Sequence, residues 1–455
     1  MERARRTLLT ALAAVVVAVA ATALAWYRLG PTTRGTVWAE DGGVFLRERL
    51  AYGEAGSLFR PYAGYLHLLP RLVVDLGFRR PVEDYAVTVS AASCLIVGVV
   101  AAAVFLLARD VVPAWPLRVV LAAVPVVLPI APYEVGGNAA NLHWYMLLLV
   151  PWLFSYRART WWGSAAVAAL ALGAVLTEPQ TLFFAPLLVL AWWRGRARLL
   201  ALPVTVVTVL AGAVQVGSAL TDTRISRPGH PTVADVVHGY LLQPLAGAWT
   251  WDLSSVATAA VHHGWGVLVW PLVAIAVVLV AAVVLGQWRA RVLVAALAAG
   301  SVVVWTAALV ANESADLRWG ELPVTDFTAS APLRYAAAAA MLLVSAVVVA
   351  ASVLIDRRNW SVRIPARGAR AAGRTAGRVG TAVAAVVGWA AIAVVVAAAV
   401  SSVAPGNTRR DDGPLWAPQI TAQLDVCRAD PAGSVEVRTA PWGATLPCSV
   451  LLDRR

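Results

Sequence analysis

Eleven apolar runs of 14 to 24 residues follow one another along this chain, at roughly 7–27, 85–108, 117–133, 142–156, 161–177, 180–193, 199–220, 264–285, 291–311, 335–355 and 381–403. A soluble domain has no interior large enough to hide so many. A bilayer does, because about 20 apolar residues cross its hydrocarbon core as a helix. No water there can satisfy a free N–H or C=O, so each run must close its own backbone hydrogen bonds. The predicted fold class is an all-α polytopic transmembrane helical bundle of about eleven spans. The runs at 142–156 and 180–193 are short for a full crossing and predict tilted or partly re-entrant segments.

Composition agrees. Of 455 residues, 60% are apolar and 14% charged, against about 25% charged in an ordinary soluble protein. That excludes a normal cytosolic enzyme, a disordered chain and a small disulfide scaffold. The net charge of +12 comes entirely from arginine, since the sequence has no lysine. The arginines fall between apolar runs and build no basic domain, which argues against a nucleic-acid partner.

Arginine placement also sets orientation. With the N-terminus inside and strict alternation, the inner segments hold 19 arginines against three acids, and the outer ones 18 against 22. The chain is therefore expected to be N-in and C-out. The first run follows Met-Glu-Arg-Ala-Arg-Arg and is longer than a signal peptide's apolar core, so it reads as an uncleaved anchor. Long outer segments are expected at 28–84, 221–263, 312–334 and 404–455. All six histidines lie on that side, so function is sought there. The inner segment 356–380 places Arg363, Arg367, Arg370, Arg374 and Arg378 at helical spacing, a topology anchor that could also meet anionic headgroups. The domain division is 1–403 as the bundle, with outer loop 28–84 carrying an acidic pair, and 404–455 as a short extracytoplasmic tail.

Four stretches carry candidate chemistry. Trp38-Ala39-Glu40-Asp41-Gly42 sets two carboxylates just past the first membrane exit. One could take a proton from an incoming hydroxyl. The other could orient the acceptor or help hold Mg2+ or Mn2+, which favour oxygen ligands. The stretch 57–71 reads as an interfacial segment, with Tyr62 and Tyr65 at headgroup level and His67 and Arg71 able to meet a phosphate. The outer loop 133–144 brings Asn138, Asn141, His143 and Trp144 together; amides bond sugar hydroxyls, and an indole face packs on a sugar ring. Tyr62, Tyr65 and Glu178 complete the candidate sugar or acceptor surface. Arg334 stands at the outer mouth of the tenth run, where a guanidinium can clamp phosphate bidentately. In the tail, Cys427 and Cys448 could pair on an oxidising face, while Cys94 is a core residue. The cores of the runs hold no acid or base away from their ends, which disfavours an ion-coupled pump.

The order of these features resembles the GT-C superfamily of integral membrane glycosyltransferases. The motifs Trp38-Ala39-Glu40-Asp41-Gly42, Pro61-Tyr62-Ala63-Gly64-Tyr65-Leu66-His67 and Asn138-x-x-Asn141 look like those of bacterial polytopic membrane proteins of that type. The resemblance implies a GT-C-like bundle in the bacterial cytoplasmic membrane and a polyprenyl-phosphate-linked sugar as donor. It implies a catalytic carboxylate at Asp41 or Glu40, with Asp41 slightly preferred, and a lipid-phosphate contact at Arg334, aided by Arg71 or His67. Inverting transfer to a cell-envelope glycan or lipid, on the outer face and among membrane lipids, is the expected activity. The chain departs from better-known members in lacking a large soluble outer domain and an obvious second acidic motif, for which Glu134, Glu178 and Asp316 are candidates. A lipid or polysaccharide transporter or flippase, and a non-catalytic envelope-assembly subunit, are the rival expectations.

Overall fold

The computed structural model describes residues 2–192, 196–222, 227–356, 358, 360–361 and 371–454. Arg363, Arg367 and Arg370 of the inner basic stripe lie outside them. The chain is a polytopic helical membrane protein. Among the described residues, seven helices are long and apolar enough to cross a membrane: Thr7–Arg34, Val82–Asp110, Arg198–Thr221, Gly266–Leu285, Trp288–Ala311, Arg334–Ile355 and Gly380–Ser401. Four shorter apolar helices, Trp115–Val127, Leu142–Ser155, Trp161–Val175 and Pro179–Trp192, account for the remaining runs.

Local chemistry explains the short elements. The run at 117–133 stops being helical at Val127, because Pro129 disfavours helical geometry at the residue before it. The carbonyls stranded at that helix end are collected by buried Arg28, whose guanidinium donates to Val126, Leu128 and Pro129. The segment Pro179–Leu188 is a 3-10 helix, continued by the α-turn Val189–Trp192. Its rise of about 2 Å per residue, against 1.5 Å for an α-helix, stretches the 14 residues to about 26 Å.

The Arg334–Ile355 helix is the axis of the bundle and is buried along almost its whole length. Its Ala-rich face lets neighbours approach closely, as small residues do between membrane helices. It packs on the Trp288–Ala311, Gly266–Leu285 and Ala371–Ser401 helices. Ser301 Oγ donates to the Ala339 carbonyl across one of these contacts at 2.7 Å. At the periphery, Val15, Val16, Val19, Val277, Val280, Val394 and Val400 point outward. In water such a surface would be an aggregation liability; facing lipid tails it carries no penalty.

The tail adds structure that apolar periodicity does not announce. A helix, Trp416–Ala429, is followed by an antiparallel hairpin of Ser434–Arg438 and Gly443–Pro447 and a last turn, Cys448–Asp453. Cys427 and Cys448 are disulfide-bonded, and Cys94 is free and buried. Trp416 is fully buried, with its indole N–H on the Val82 carbonyl at 2.7 Å. The unit sits against the loops that follow the first helix.

Candidate functional site

The acidic pair sits on one turn of π-helix, Asp41–Leu46, for which Glu40 is the N-terminal cap residue. Such turns recur at functional sites because the extra residue redirects side chains. Here it sends the two carboxylates apart. Asp41 is 1% exposed. Its two oxygens accept the backbone N–H groups of Ala139 at 2.9 Å and Ala140 at 2.8 Å. Burial pushes its carboxyl up to about 7, against the opposing pull of those two bonds and of Arg410. Glu40 instead lines a cavity. Its Oε1 meets Arg334 at 3.2 Å, while its Oε2 is buried with no hydrogen-bond partner. The preference for Asp41 as the residue facing a substrate is thus reversed: Asp41 ties the loop down, and Glu40 faces the open space. The two carboxylates are thus engaged differently, Asp41 by backbone N–H groups and Glu40 by Arg334. Among the described residues, no group of three or more His, Cys, Asp or Glu could hold a metal ion.

The cavity encloses about 910 Å³ at the end of the bundle where the first helix finishes. Its polar side is built by Glu40, Arg47, Tyr62, Tyr65, His67, Asn141, His143, Trp144, Glu178, Arg334 and Tyr335. Apolar lining comes from Pro179 and Phe183 of the 3-10 segment, beside Glu178 and Gln180, and from Ala307, Ala308 and Ala311 of the Trp288–Ala311 helix, beside Asn312. Phe183 is half exposed on the outside of the bundle. Charged and hydrogen-bonding groups thus share the lining with apolar ones.

The predicted site residues divide on inspection. Tyr62, Tyr65, His67, Asn141, His143, Trp144, Glu178, Glu40 and Arg334 share this cavity. Arg71 does not: it is 3% exposed, pairs with Glu48 at 2.7 Å and lies over the Phe45 ring, so it supports the wall from behind. Asn138 is also no sugar contact. Its amide donates to the carbonyls of Glu134 and Gly136, and its Oδ1 accepts from the backbone and side chain of Asn141. Asn141 borders the cavity, but its Oδ1 already accepts the Trp144 indole N–H. The two asparagines lock the turn that presents N–H groups 139 and 140 to Asp41. His67 stacks on Tyr65 with ring centroids 4.0 Å apart. Burial, with the nearby charges of His143 and Arg71, holds its imidazole well below the usual histidine range.

Three groups escaped sequence reasoning. Arg47 lines the cavity, and its side chain forms no ion pair or hydrogen bond among the described residues; in Leu46-Arg47-Glu48-Arg49 it looks like part of a solvated charge run. Arg409 of the tail pairs with Glu134 at 3.4 Å, and Glu134 reaches Arg334 at 3.7 Å, so Glu40, Arg334, Glu134 and Arg409 form one alternating chain of charge. Trp442, at the hairpin turn and 44% exposed, borders both the main cavity and a smaller one of about 360 Å³. Glu40 and Arg334 line that smaller space too, so the ion pair stands between the two.

The hairpin explains Gly42-Gly43. A Cβ on Gly42 would stand 2.6 Å from the Thr439 methyl, and one on Gly43 would stand 3.1 Å from the Trp442 ring. The backbone pairs there as well, Ala39 N–H on the Ala440 carbonyl and Ala440 N–H on the Val37 carbonyl, both at 3.0 Å. Buried Arg410 joins the tail to both loops, donating to the carbonyls of Thr36, Gly136 and Gly137. Comparison with known protein families, with curated proteins and with solved structures finds no match for this chain.

Proposed function

We propose that the protein is a membrane glycosyltransferase of the GT-C type, moving a sugar from a polyprenyl-phosphate donor to a hydroxyl of a cell-envelope glycan or lipid. The observation that carries this reading is a cavity in which the Glu40–Arg334 ion pair and other polar groups share the lining with Phe183 and the alanines of the Trp288–Ala311 helix. A lipid-linked sugar is a substrate class that needs both kinds of lining at once. The prenyl chain runs along Phe183 and the alanines of Trp288–Ala311. Its phosphate meets Arg47, whose side chain has no ion-pair partner among the described residues.

Glu40 is the base. Its carboxylate takes the acceptor's proton as the hydroxyl attacks the sugar's anomeric carbon, and the bond from that carbon to the phosphate oxygen breaks with its electrons on the phosphate. Arg334, shared between Glu40 and Glu134, holds the carboxylate in place. The acceptor approaches through the smaller space beside Trp442. The arginine asymmetry of the sequence supports an extracytoplasmic location for this chemistry.

The test is transfer by the purified full-length protein from a panel of polyprenyl-phosphate sugars to envelope-type acceptors. Glu40→Gln is expected to lower turnover by about 10²–10⁴-fold while the thermal midpoint is retained. Wild-type turnover in Glu40→Gln would remove the proposed base, and no transfer from any donor would remove the enzyme reading.

A further inference from the structure

His143 and Glu178 form a buried pair that the transfer step above leaves unused. Nδ1 of His143 lies in hydrogen-bond contact with Oε2 of Glu178, whose Oε1 accepts the Gln180 N–H at 2.8 Å. Both groups are fixed by their elements. His143 opens the Leu142–Ser155 helix and packs on Trp144 with ring centroids 4.0 Å apart, and Glu178 caps the 3-10 segment. Nε2 has no hydrogen-bond partner among the described residues, and the residue lines the cavity.

A carboxylate is an acceptor only, so the Nδ1 side of the ring keeps its hydrogen whether the imidazole is neutral or charged. Nε2 is then the atom that gains or loses a proton. In the neutral ring it offers the cavity a lone pair, which repels an anion. In the charged ring it offers an N–H donor, and charge-assisted bonds of that kind to phosphate are among the stronger hydrogen bonds. One protonation thus switches the same atom from excluding a phosphate to gripping it.

We infer that the His143–Glu178 pair is a proton-controlled phosphate site, in which Nε2–H of the imidazolium binds the phosphodiester of the lipid-linked donor. The identity of the ligand rests on the glycosyltransferase reading. As the anomeric bond breaks, the electron pair passes to the phosphate oxygen and the acceptor's proton goes to Glu40. The His143 proton stays on Nε2 as a hydrogen bond to the departing phosphate. This replaces the sugar contact expected of His143. The groups facing the ring are Glu178 from the 3-10 segment, Tyr65 and His67 from the preceding outer loop, and Trp144 from its own helix. Glu40, Arg47, Tyr62, Arg334 and Tyr335 line the same space. Among these, His67 is the other imidazole, and burial holds it well below the usual histidine range.

The probe is a short-chain dialkyl phosphate, whose single charge does not change between pH 5.5 and 8.5. Its affinity for the full-length protein in detergent is measured at both values, beside the thermal midpoint of each variant. Wild type is expected to bind roughly tenfold more tightly at pH 5.5. His143→Gln, folded with an ordinary midpoint, should bind equally at both values. Glu178→Gln, which frees the ring to turn, should lose most of the gain on the acid side. The same pH dependence in wild type and His143→Gln, or none in wild type, overturns the inference. Inorganic phosphate competing as well as the diester would assign the site to free phosphate and overturn the donor assignment. Binding of the diester is separate from turnover: pH-dependent binding with no transfer sinks the enzyme reading and leaves the anion site standing, while transfer with pH-independent binding does the reverse.

Discussion

At the scale of single residues, two neighbouring acids have opposite duties, and the difference is measurable. Asp41 accepts two backbone N–H groups. In Asp41→Asn, the side-chain amide must turn N–H donors toward one of those donors, which leaves a buried bond unmade and costs about 1–3 kcal/mol. A lowered thermal midpoint in Asp41→Asn is therefore expected, and a midpoint equal to wild type would count against the anchoring role. The pH dependence has a definite sign. The Asp41 carboxyl rises from 3.8 unfolded to about 7 in the fold, so the folded state holds its proton more tightly. The stability this contributes is fully present below the unfolded value and is lost as pH rises through about 7; Asp41→Asn should flatten that part of the stability profile. The dipeptide was legible in the sequence, and so was its place after the first helix. Which acid faces the cavity was not, because that depends on one turn of π-helix and on amides supplied by residues 139 and 140, nearly a hundred positions away.

Among elements, the C-terminal hairpin and the acidic loop behave as one unit, and the glycines between them record the contact. Gly42-Gly43 reads in isolation as a turn, but the structure uses both for close approach to Thr439 and Trp442. Gly42→Val should lift the hairpin from the loop, raise protease sensitivity of the tail and impair whatever Glu40 does, with the membrane helices intact. Undiminished activity with a protease-resistant tail would show that the contact is dispensable. The disulfide acts on the same unit from its other side. It closes a 21-residue separation, for which chain entropy gives about 3 kcal/mol, so Cys427→Ser should loosen the tail in the same protease assay. Apolar helices were largely legible, since each of the eleven runs is helical and only ends such as Val127 are displaced by proline. The tail hairpin was not, because its strands alternate buried and exposed over only five residues each, too few to stand out in so apolar a chain.

For the molecule as a whole, the cavity lies at one end of the bundle, and the arginine count predicts which side of the membrane that end faces. The arginine-rich loops lie at the opposite end: Arg109, Arg118, Arg157, Arg159 and Arg289 gather there around Asp110, which pairs with Arg159 at 2.7 Å. The charge asymmetry and the site geometry are independent observations, the first from the sequence and the second from packing, and together they predict that the cavity opens on the outer face. The native cysteines suit a direct test, because Cys94 is buried and the other two are bonded to each other. A cysteine at Gly406, exposed in the tail beside the cavity end, should react with a membrane-impermeant maleimide in intact cells. One at Arg159 should react only after permeabilisation, and since its ion pair with Asp110 is largely exposed, the substitution should cost about 1 kcal/mol or less. Labelling of the Arg159 position in intact cells, with protection of the tail, would put Glu40 in the cytosol. An extracytoplasmic acceptor would then be out of reach, and the donor would have to be used on the inner leaflet.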